Sequence, residues 1–267
     1  MHPSELSQVR LFCLPHAGGS ASAYFKLSEL LGPRIEVLAV QYPGRQDRRN
    51  EPCIESIPTL AEMIASAMVE WIDRPYAIFG HSMGAIIGFE LALRLGSGGA
   101  GEPVHLFASG RRAPSTIRDE RVHLLDDSGL VAELHRNGGT DRRLLADADL
   151  LSMILPATRS DYRAIENYVF TGSKQLSCPI TALLGNTDRK CSLDEAAAWM
   201  RHTSAAFDLR TFEGGHFFLD ANIEGVARDV SAALVGYGWN CTTDNSQGGS
   251  HSEIRDPGPG SRRRLIR

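Results

Sequence analysis

The sequence contains no run of about 18 apolar residues, so no segment is expected to cross a membrane as a helix. Its start carries His2, Glu5, Gln8 and Arg10 where a secretory leader needs an apolar stretch. A soluble protein of the cytoplasm is expected. Cysteine is scarce: Cys13, Cys53, Cys178, Cys191 and Cys241 make an odd set of five with no Cys-x-x-Cys pair. That excludes a zinc knuckle and a disulfide framework. Cys13 and Cys178 sit in or beside apolar runs and are expected to be buried, whereas Cys241 borders a polar tail. Neither sign of charge dominates: 28 basic against 32 acidic side chains leave a formal charge of -4. Nucleic acid is therefore not an expected partner.

What is present is a chain of 267 residues, long enough to bury one large core. Short β-rich runs alternate with helical patterns, the signature of an α/β fold with a mostly parallel central sheet flanked by helices. Strands are expected at 9–14, 35–41, 76–79, 104–108, 180–184 and 207–212, and helices at 23–31, 59–72, 83–95, 192–202 and 223–234. Asn222 is expected to cap the last of these. The alternation breaks over 111–171, where short helices are expected at 129–135, 147–155 and 157–168, separated by Asn137-Gly138-Gly139 and by Pro156. So long a segment is more than a crossover and reads as an insertion or lid over the sheet. The single domain is expected to span 1–240. The remaining 241–267, rich in Gly, Ser, Asp, Pro and Arg, reads as a disordered tail of net charge +2.

Gly80-His81-Ser82-Met83-Gly84 fits Gly-x-Ser-x-Gly, between an expected strand and a long apolar helix. That is the context of a nucleophile elbow, and the two glycines answer the close approach of strand and helix. A helix-capping serine alone would not need both. A serine hydroxyl is a poor nucleophile until an imidazole takes its proton and an acid orients the imidazole. His216 is the best base among nine histidines, because Gly214-Gly215 precedes it on a loop after the last strand. His123, His135 and His202 fall in patterns where solvent exposure is the default, and His105 reads as a sheet residue. Asp188, in the turn Gly185-Asn186-Thr187-Asp188 after a buried-type strand, is the best orienting acid, with Asp194, Asp208 and Asp220 as weaker rivals. The order Ser82, Asp188, His216 is that of an α/β-hydrolase triad.

The first strand ends in Leu14-Pro15-His16-Ala17-Gly18-Gly19-Ser20, which lacks the Lys-Ser/Thr ending of a phosphate loop and the glycine spacing of a dinucleotide site. Here the backbone N–H groups of Ala17 and Met83 are candidates to converge on an oxyanion. His16 reads as a structural turn residue. Arg45, in Pro43-Gly44-Arg45, has two readings of equal standing: an entrance residue that contacts an acidic group, or a structural salt bridge.

These segments, with Gln41-Tyr42-Pro43-Gly44-Arg45 and Gly214-Gly215-His216-Phe217-Phe218, resemble the stand-alone type II thioesterases of polyketide and nonribosomal peptide synthesis over residues 9–234. They are also similar to medium-chain acyl-carrier-protein thioesterases of fatty acid synthesis. The resemblance implies an α/β-hydrolase fold with a helical lid, and hydrolysis of acyl thioesters on the phosphopantetheine arm of carrier-protein domains. It implies Ser82, Asp188 and His216 as the catalytic residues, with Ala17 and Met83 at the oxyanion. No metal or bound cofactor is implied, since phosphopantetheine belongs to the substrate. Met83, Phe217 and Phe218 are expected near the acyl group, and Leu130, Leu134, Leu151, Ile154 and Leu155 of the lid are expected to line its groove; packing is the competing reading for Phe217, Phe218 and the five lid residues. An acyltransferase or cyclising enzyme would share the same first half-reaction, and a non-catalytic carrier-binding protein is a further alternative. A monomer is the simplest expectation.

Overall fold

The computed structural model describes residues 4, 6–139 and 147–238. Six parallel strands form one sheet in the order β2-β1-β3-β4-β5-β6. They are β1 (Val9–Leu14), β2 (Ile35–Ala39), β3 (Tyr76–His81), β4 (His105–Ser109), β5 (Ile180–Gly185) and β6 (Phe207–Phe212). All six stand within a residue or two of their expected places.

The period-two rule decides what each face buries. Phe12 and Leu14 of β1, with Tyr76 and Ile78 of β3, enter one core together with α2 (Ile57–Met68) and α3 (Met83–Ser97). Val9, Leu11 and Cys13, with Ala77 and Phe79, enter the opposite core with α1 (Phe25–Leu31) and the helix that ends at Leu234. Helices thus cover both faces, as a parallel sheet requires. Cys13 and Cys178 are buried as expected, and Cys241 lies outside the described residues. So does the expected tail.

Between β4 and β5 the chain builds the helical lid. It contains α4 (Asp127–Asn137) and α5 (Ala148–Glu166). Asp126 caps α4 by accepting from the Gly129 N–H at 2.8 Å, and Asp147 caps α5 through the N–H groups of Asp149 and Leu150. Val122, Leu130, Leu134 and Leu155 form a small core of the lid's own, while Ala164 and Ile165 of α5 join the main core. Pro156 does not divide two helices; it lies inside α5. Proline removes one N–H from the helical ladder, but tertiary burial of Leu155, Ala157, Thr158, Asp161 and Ile165 on either side holds the helix continuous.

The chain then forms β5, α6 (Leu193–Ala197), whose Ser192 and Glu195 make a reciprocal capping box, and β6. The closing helix α7 runs Phe218–Leu234, starting earlier than expected. Its backbone departs from helical geometry at Asn222. Asn222 does not cap by accepting. Its Nδ2 donates to the carbonyls of Glu213 and Phe218, at 2.8 and 2.7 Å, and so ties the kink to the loop before the helix.

Candidate active site

Ser82 is the one residue between β3 and α3. Its φ of 55° and ψ of -116° are values that an L residue adopts only when its surroundings impose them. Part of that constraint is its N–H, which donates to the Ser109 carbonyl of β4 at 2.8 Å. The rest is close packing: a Cβ on Gly80 would stand 2.1 Å from the Gly84 carbonyl oxygen, and one on Gly84 would stand 2.0 Å from that of Leu14. The strand, the helix and β1 therefore meet at a distance only glycine permits, and the sharp turn lifts Ser82 to the sheet's C-terminal edge.

Two loops at the same edge supply its partners. Asp188 lies in the turn after β5 and His216 in the loop after β6, and adjacent parallel strands bring these loops together. The Ser82 hydroxyl donates to His216 Nε2 at 3.0 Å, and His216 Nδ1–H donates to Asp188 Oδ2 at 2.9 Å. The other Asp188 oxygen accepts the Lys190 N–H at 2.8 Å, which fixes the carboxylate plane. The side chain of Asp188 is fully buried. The rival acids are elsewhere: Asp208 is exposed beside Arg210, while Asp194 and Asp220 occupy the first turns of α6 and α7.

Two further histidines crowd this centre. The His81 ring lies 5.3 Å from that of His216, with its Nδ1 2.9 Å from the Ser109 hydroxyl. Burial, then the neighbouring His216 and His16, hold His81 well below the ordinary histidine range. His16 meets Phe217 edge-on at 4.7 Å, and its carbonyl accepts the Gly19 N–H. Burial first, then His216 and Arg45, push it down to about 3. Both rings are neutral at neutral pH, and of the three only His216 hydrogen-bonds Ser82. His202, expected in solvent, is 4% exposed and shares a 2.8 Å hydrogen bond with Ser115.

Of the oxyanion candidates, Met83 follows Ser82 in the chain and Ala17 lines the same cavity as Ser82. Met83 opens α3, so its N–H belongs to the first turn, which has no intrahelical acceptor. Ala17 lies in the loop after β1, and its N–H has no partner among the hydrogen bonds of the described residues. Only the Met83 backbone can face a substrate, because its side chain is buried in the core at 1% exposure.

A cavity of about 1220 Å³ opens over Ser82 and His216. Of the side chains expected in the acyl groove, Leu134, Ile154 and Phe217 line it. Phe218 instead stacks on Phe212 at 5.3 Å within the core. Leu130, Leu151 and Leu155 pack inside the lid. Within α5, Leu151 and Leu155, four apart, share the stripe that meets the lid core, while Ile154 is turned off that stripe; in α4, Leu130 and Leu134 share one stripe and only Leu134 also reaches the cavity. Sequence reasoning also missed a polar wall of the cavity, formed by Arg111, Glu120, Tyr162, Glu166 and Lys190. Burial, then Arg112, lowers the Arg111 guanidinium to about 10, and its buried Nε has no hydrogen-bond partner. Nothing in the Arg111-Arg112 dipeptide indicates which arginine faces the cavity; Arg112 pairs with Glu120 at 2.6 Å.

The structure also decides between the two readings of Arg45. It forms a two-pronged ion pair with Asp161 of α5, at 2.5 and 2.9 Å. Burial disfavours the guanidinium charge, but Asp161 more than offsets this and holds the Arg45 pKa above its ordinary value. Asp161 belongs to no motif, but it is a lone carboxylate amid the buried stripe Ala157, Thr158, Ala164 and Ile165.

A parallel sheet with a serine on its strand-to-helix turn, joined through histidine to a buried aspartate, defines a serine hydrolase of the α/β-hydrolase fold. Within that class the chain belongs to the thioesterase-domain family, whose pattern matches residues 9–234, and is a type II thioesterase. Thioesterase PikA5 of Streptomyces venezuelae is 50% identical over 235 residues, which are 88% of this chain and 84% of that protein. A probable cadicidin biosynthesis thioesterase of Streptomyces griseus is 49% identical over 233 residues; the match covers 87% of this chain but 64% of that longer protein. Among solved structures, the type II thioesterase BorB of the borrelidin biosynthetic cluster superposes with a TM-score of 0.82 at 45% identity, over 87% of this chain and 95% of that one. Among the described residues no helix is long and apolar enough to cross a membrane.

Proposed function

We propose that this enzyme, acting in the cytoplasm, hydrolyses acyl thioesters on the phosphopantetheine arm of carrier-protein domains in a polyketide or nonribosomal peptide synthase. It clears aberrant or stalled acyl groups, and Ser82, His216 and Asp188 carry the chemistry. The observation that supports this reading most is the unbroken hydrogen-bond line from Ser82 to His216 to Asp188 at the floor of a cavity large enough for an acyl group and the end of the arm.

His216 Nε2 takes the Ser82 proton as Oγ attacks the thioester carbonyl. The carbonyl oxygen becomes an oxyanion that accepts hydrogen bonds from the Ala17 and Met83 N–H groups. Asp188 holds the imidazole in the tautomer that leaves Nε2 free, and stabilises the imidazolium. When the tetrahedral adduct collapses, the C–S bond breaks and the His216 proton passes to the departing thiolate. Water then enters, His216 removes its proton, and the acyl-serine is cleaved to the free acid with the proton returned to Ser82. No cofactor takes part in these steps.

Two substitutions test the assignment. Ser82→Ala is expected to keep its melting temperature and lose roughly a thousandfold or more in kcat, and a serine-directed phosphonate should label the Ser82 peptide of the wild type. Asp188→Asn is expected to cut kcat sharply with melting temperature preserved, whereas Asp194→Asn and Asp208→Asn retain most activity. Wild-type turnover by Ser82→Ala, or labelling at another residue, removes Ser82 from the role.

A further inference from the structure

The loop after β1 that presents the Ala17 N–H is held by side chains from two separate parts of the chain, the segment 41–45 and the lid helix α5. The Pro15 carbonyl accepts from the Tyr42 hydroxyl at 3.1 Å, and the Ala21 N–H donates to Gln41 Oε1 at 2.9 Å. The Gly19 carbonyl accepts from Arg45 Nη1 at 3.3 Å. The Gly18 N–H donates to Asp161 Oδ2 at 2.8 Å, across 143 positions of sequence. That carboxylate belongs to the lid helix α5 and is also the partner of Arg45, whose guanidinium lies over the Tyr42 ring at 5.3 Å.

An ion pair meant only to fasten the lid would need Arg45 and Asp161 and nothing more. Here Arg45 Nε also donates to the carbonyl of Pro43 in its own turn, and beyond that each partner makes a hydrogen bond to the same two-residue stretch, Gly18-Gly19, next to the candidate oxyanion donor. Gly18 has a φ of 76°, and a Cβ there would stand 2.6 Å from the Thr158 hydroxyl oxygen of α5, so the loop and the lid helix are in direct contact at this point. Asp161 is 2% exposed, which leaves no competing water shell to replace its contacts.

We propose that Asp161, with Arg45 as its charge partner, is a positioning residue for the oxyanion loop: the lid helix's carboxylate fixes the peptide unit next to the Ala17 N–H, and the oxyanion hole is complete only while α5 is seated. This rests on the thioesterase reading of the Ser82 site. Its physical content is preorganisation. A donor helps most when it already points to where charge develops, and a small displacement forfeits much of its effect on the transition state while leaving ground-state binding nearly intact.

The test uses the full-length protein with a soluble acyl-pantetheine thioester. It also uses two inhibitors of matched chain: a trifluoromethyl ketone, which forms a tetrahedral adduct with the serine, and a thioether, which does not. Asp161→Ala is expected to lower kcat about tenfold or more with KM changed less than about threefold. Trifluoromethyl ketone affinity should fall in step with kcat/KM, and thioether affinity should hold. Asp161→Asn keeps an oxygen that accepts from the Gly18 N–H and should retain kcat within about threefold. The pair Arg45→Met with Asp161→Leu removes both buried charges together, so it should recover the melting temperature lost in Asp161→Ala without recovering kcat. A folded Asp161→Ala with wild-type kcat overturns the proposal, as does a loss confined to KM. Recovery of kcat along with melting temperature in the double variant would make Asp161 a structural anchor of the lid and nothing else. Failure of the underlying reading looks different: it is Ser82→Ala that stays active.

Discussion

The centre holds three imidazoles in ring contact, and of these only His216 hydrogen-bonds Ser82. Burial and their neighbours hold His81 and His16 below the ordinary histidine range, so each accepts a proton less readily than an ordinary imidazole. The same physics has a cost in acid that can be measured. His105 and His202 are pushed down to about 4 by burial. Above about pH 6.5 both rings are neutral whether the chain is folded or not, and their contribution to stability is complete. As pH falls from there toward 4, the unfolded chain binds protons that the folded protein refuses, and stability declines. Melting temperature should therefore drop between pH 7 and pH 4.5, before most carboxylates titrate. His202→Gln, whose amide can still bond Ser115, should flatten that slope. An unchanged slope would mean that His202 is not held neutral in the fold.

At the scale of elements, the lid and the sheet differ in what holds them. β1 and β3 are buried along their whole length, whereas among the described residues the lid's own core has four buried side chains, Val122, Leu130, Leu134 and Leu155. Backbone amides of α4 should exchange with deuterium faster than those of β3, and a carrier-bound non-hydrolysable substrate should slow them. Uniform protection with and without that substrate would identify the lid as a rigid layer. Within α5, Pro156 leaves the Ser152 carbonyl without its helical N–H partner. The Thr158 hydroxyl bonds the Ile154 carbonyl one turn along, at 2.8 Å. Pro156→Ala should restore the missing bond and slow amide exchange at the residues on either side of position 156.

For the whole molecule the question is how a carrier domain is recognised. With the tail at net +2, residues 1–240 carry -6, so attraction to an acidic carrier by net charge is excluded and recognition must be local. A carrier offers protein surface in addition to the arm. Binding energy from that surface can be expressed in the transition state. We expect kcat/KM to be higher for an acyl group on a cognate carrier than for the same acyl group on coenzyme A. Equal values for every carrier and for coenzyme A, across a range of salt, would leave a general acyl thioesterase.

Much of this was legible along the chain because its causes are local. Alternation of side chains placed Val9, Leu11 and Cys13 on one face of β1 and Phe12 and Leu14 on the other. The elbow's two glycines, and the positions of Asp188 and His216 just beyond strands, follow from turn chemistry and from the edge at which parallel strands end. Other features depend on partners that no local pattern names. Pro156 stays helical because burial around it outweighs one lost hydrogen bond, and Asn222 becomes a donor to a kink because the Glu213 carbonyl comes within its reach. Phe217 and Phe218 are neighbours in sequence, yet one lines the cavity and the other stacks on Phe212. Arg45 and Asp161 stand 116 positions apart. Sequence determined the sheet, the elbow that carries Ser82 and the chain order of Ser82, Asp188 and His216, since each rests on the backbone's own periodicity and turns. The tertiary structure alone decided which lid residues meet the cavity and which carboxylate ties Arg45 to the loop after β1, because those contacts exist only once distant helices pack.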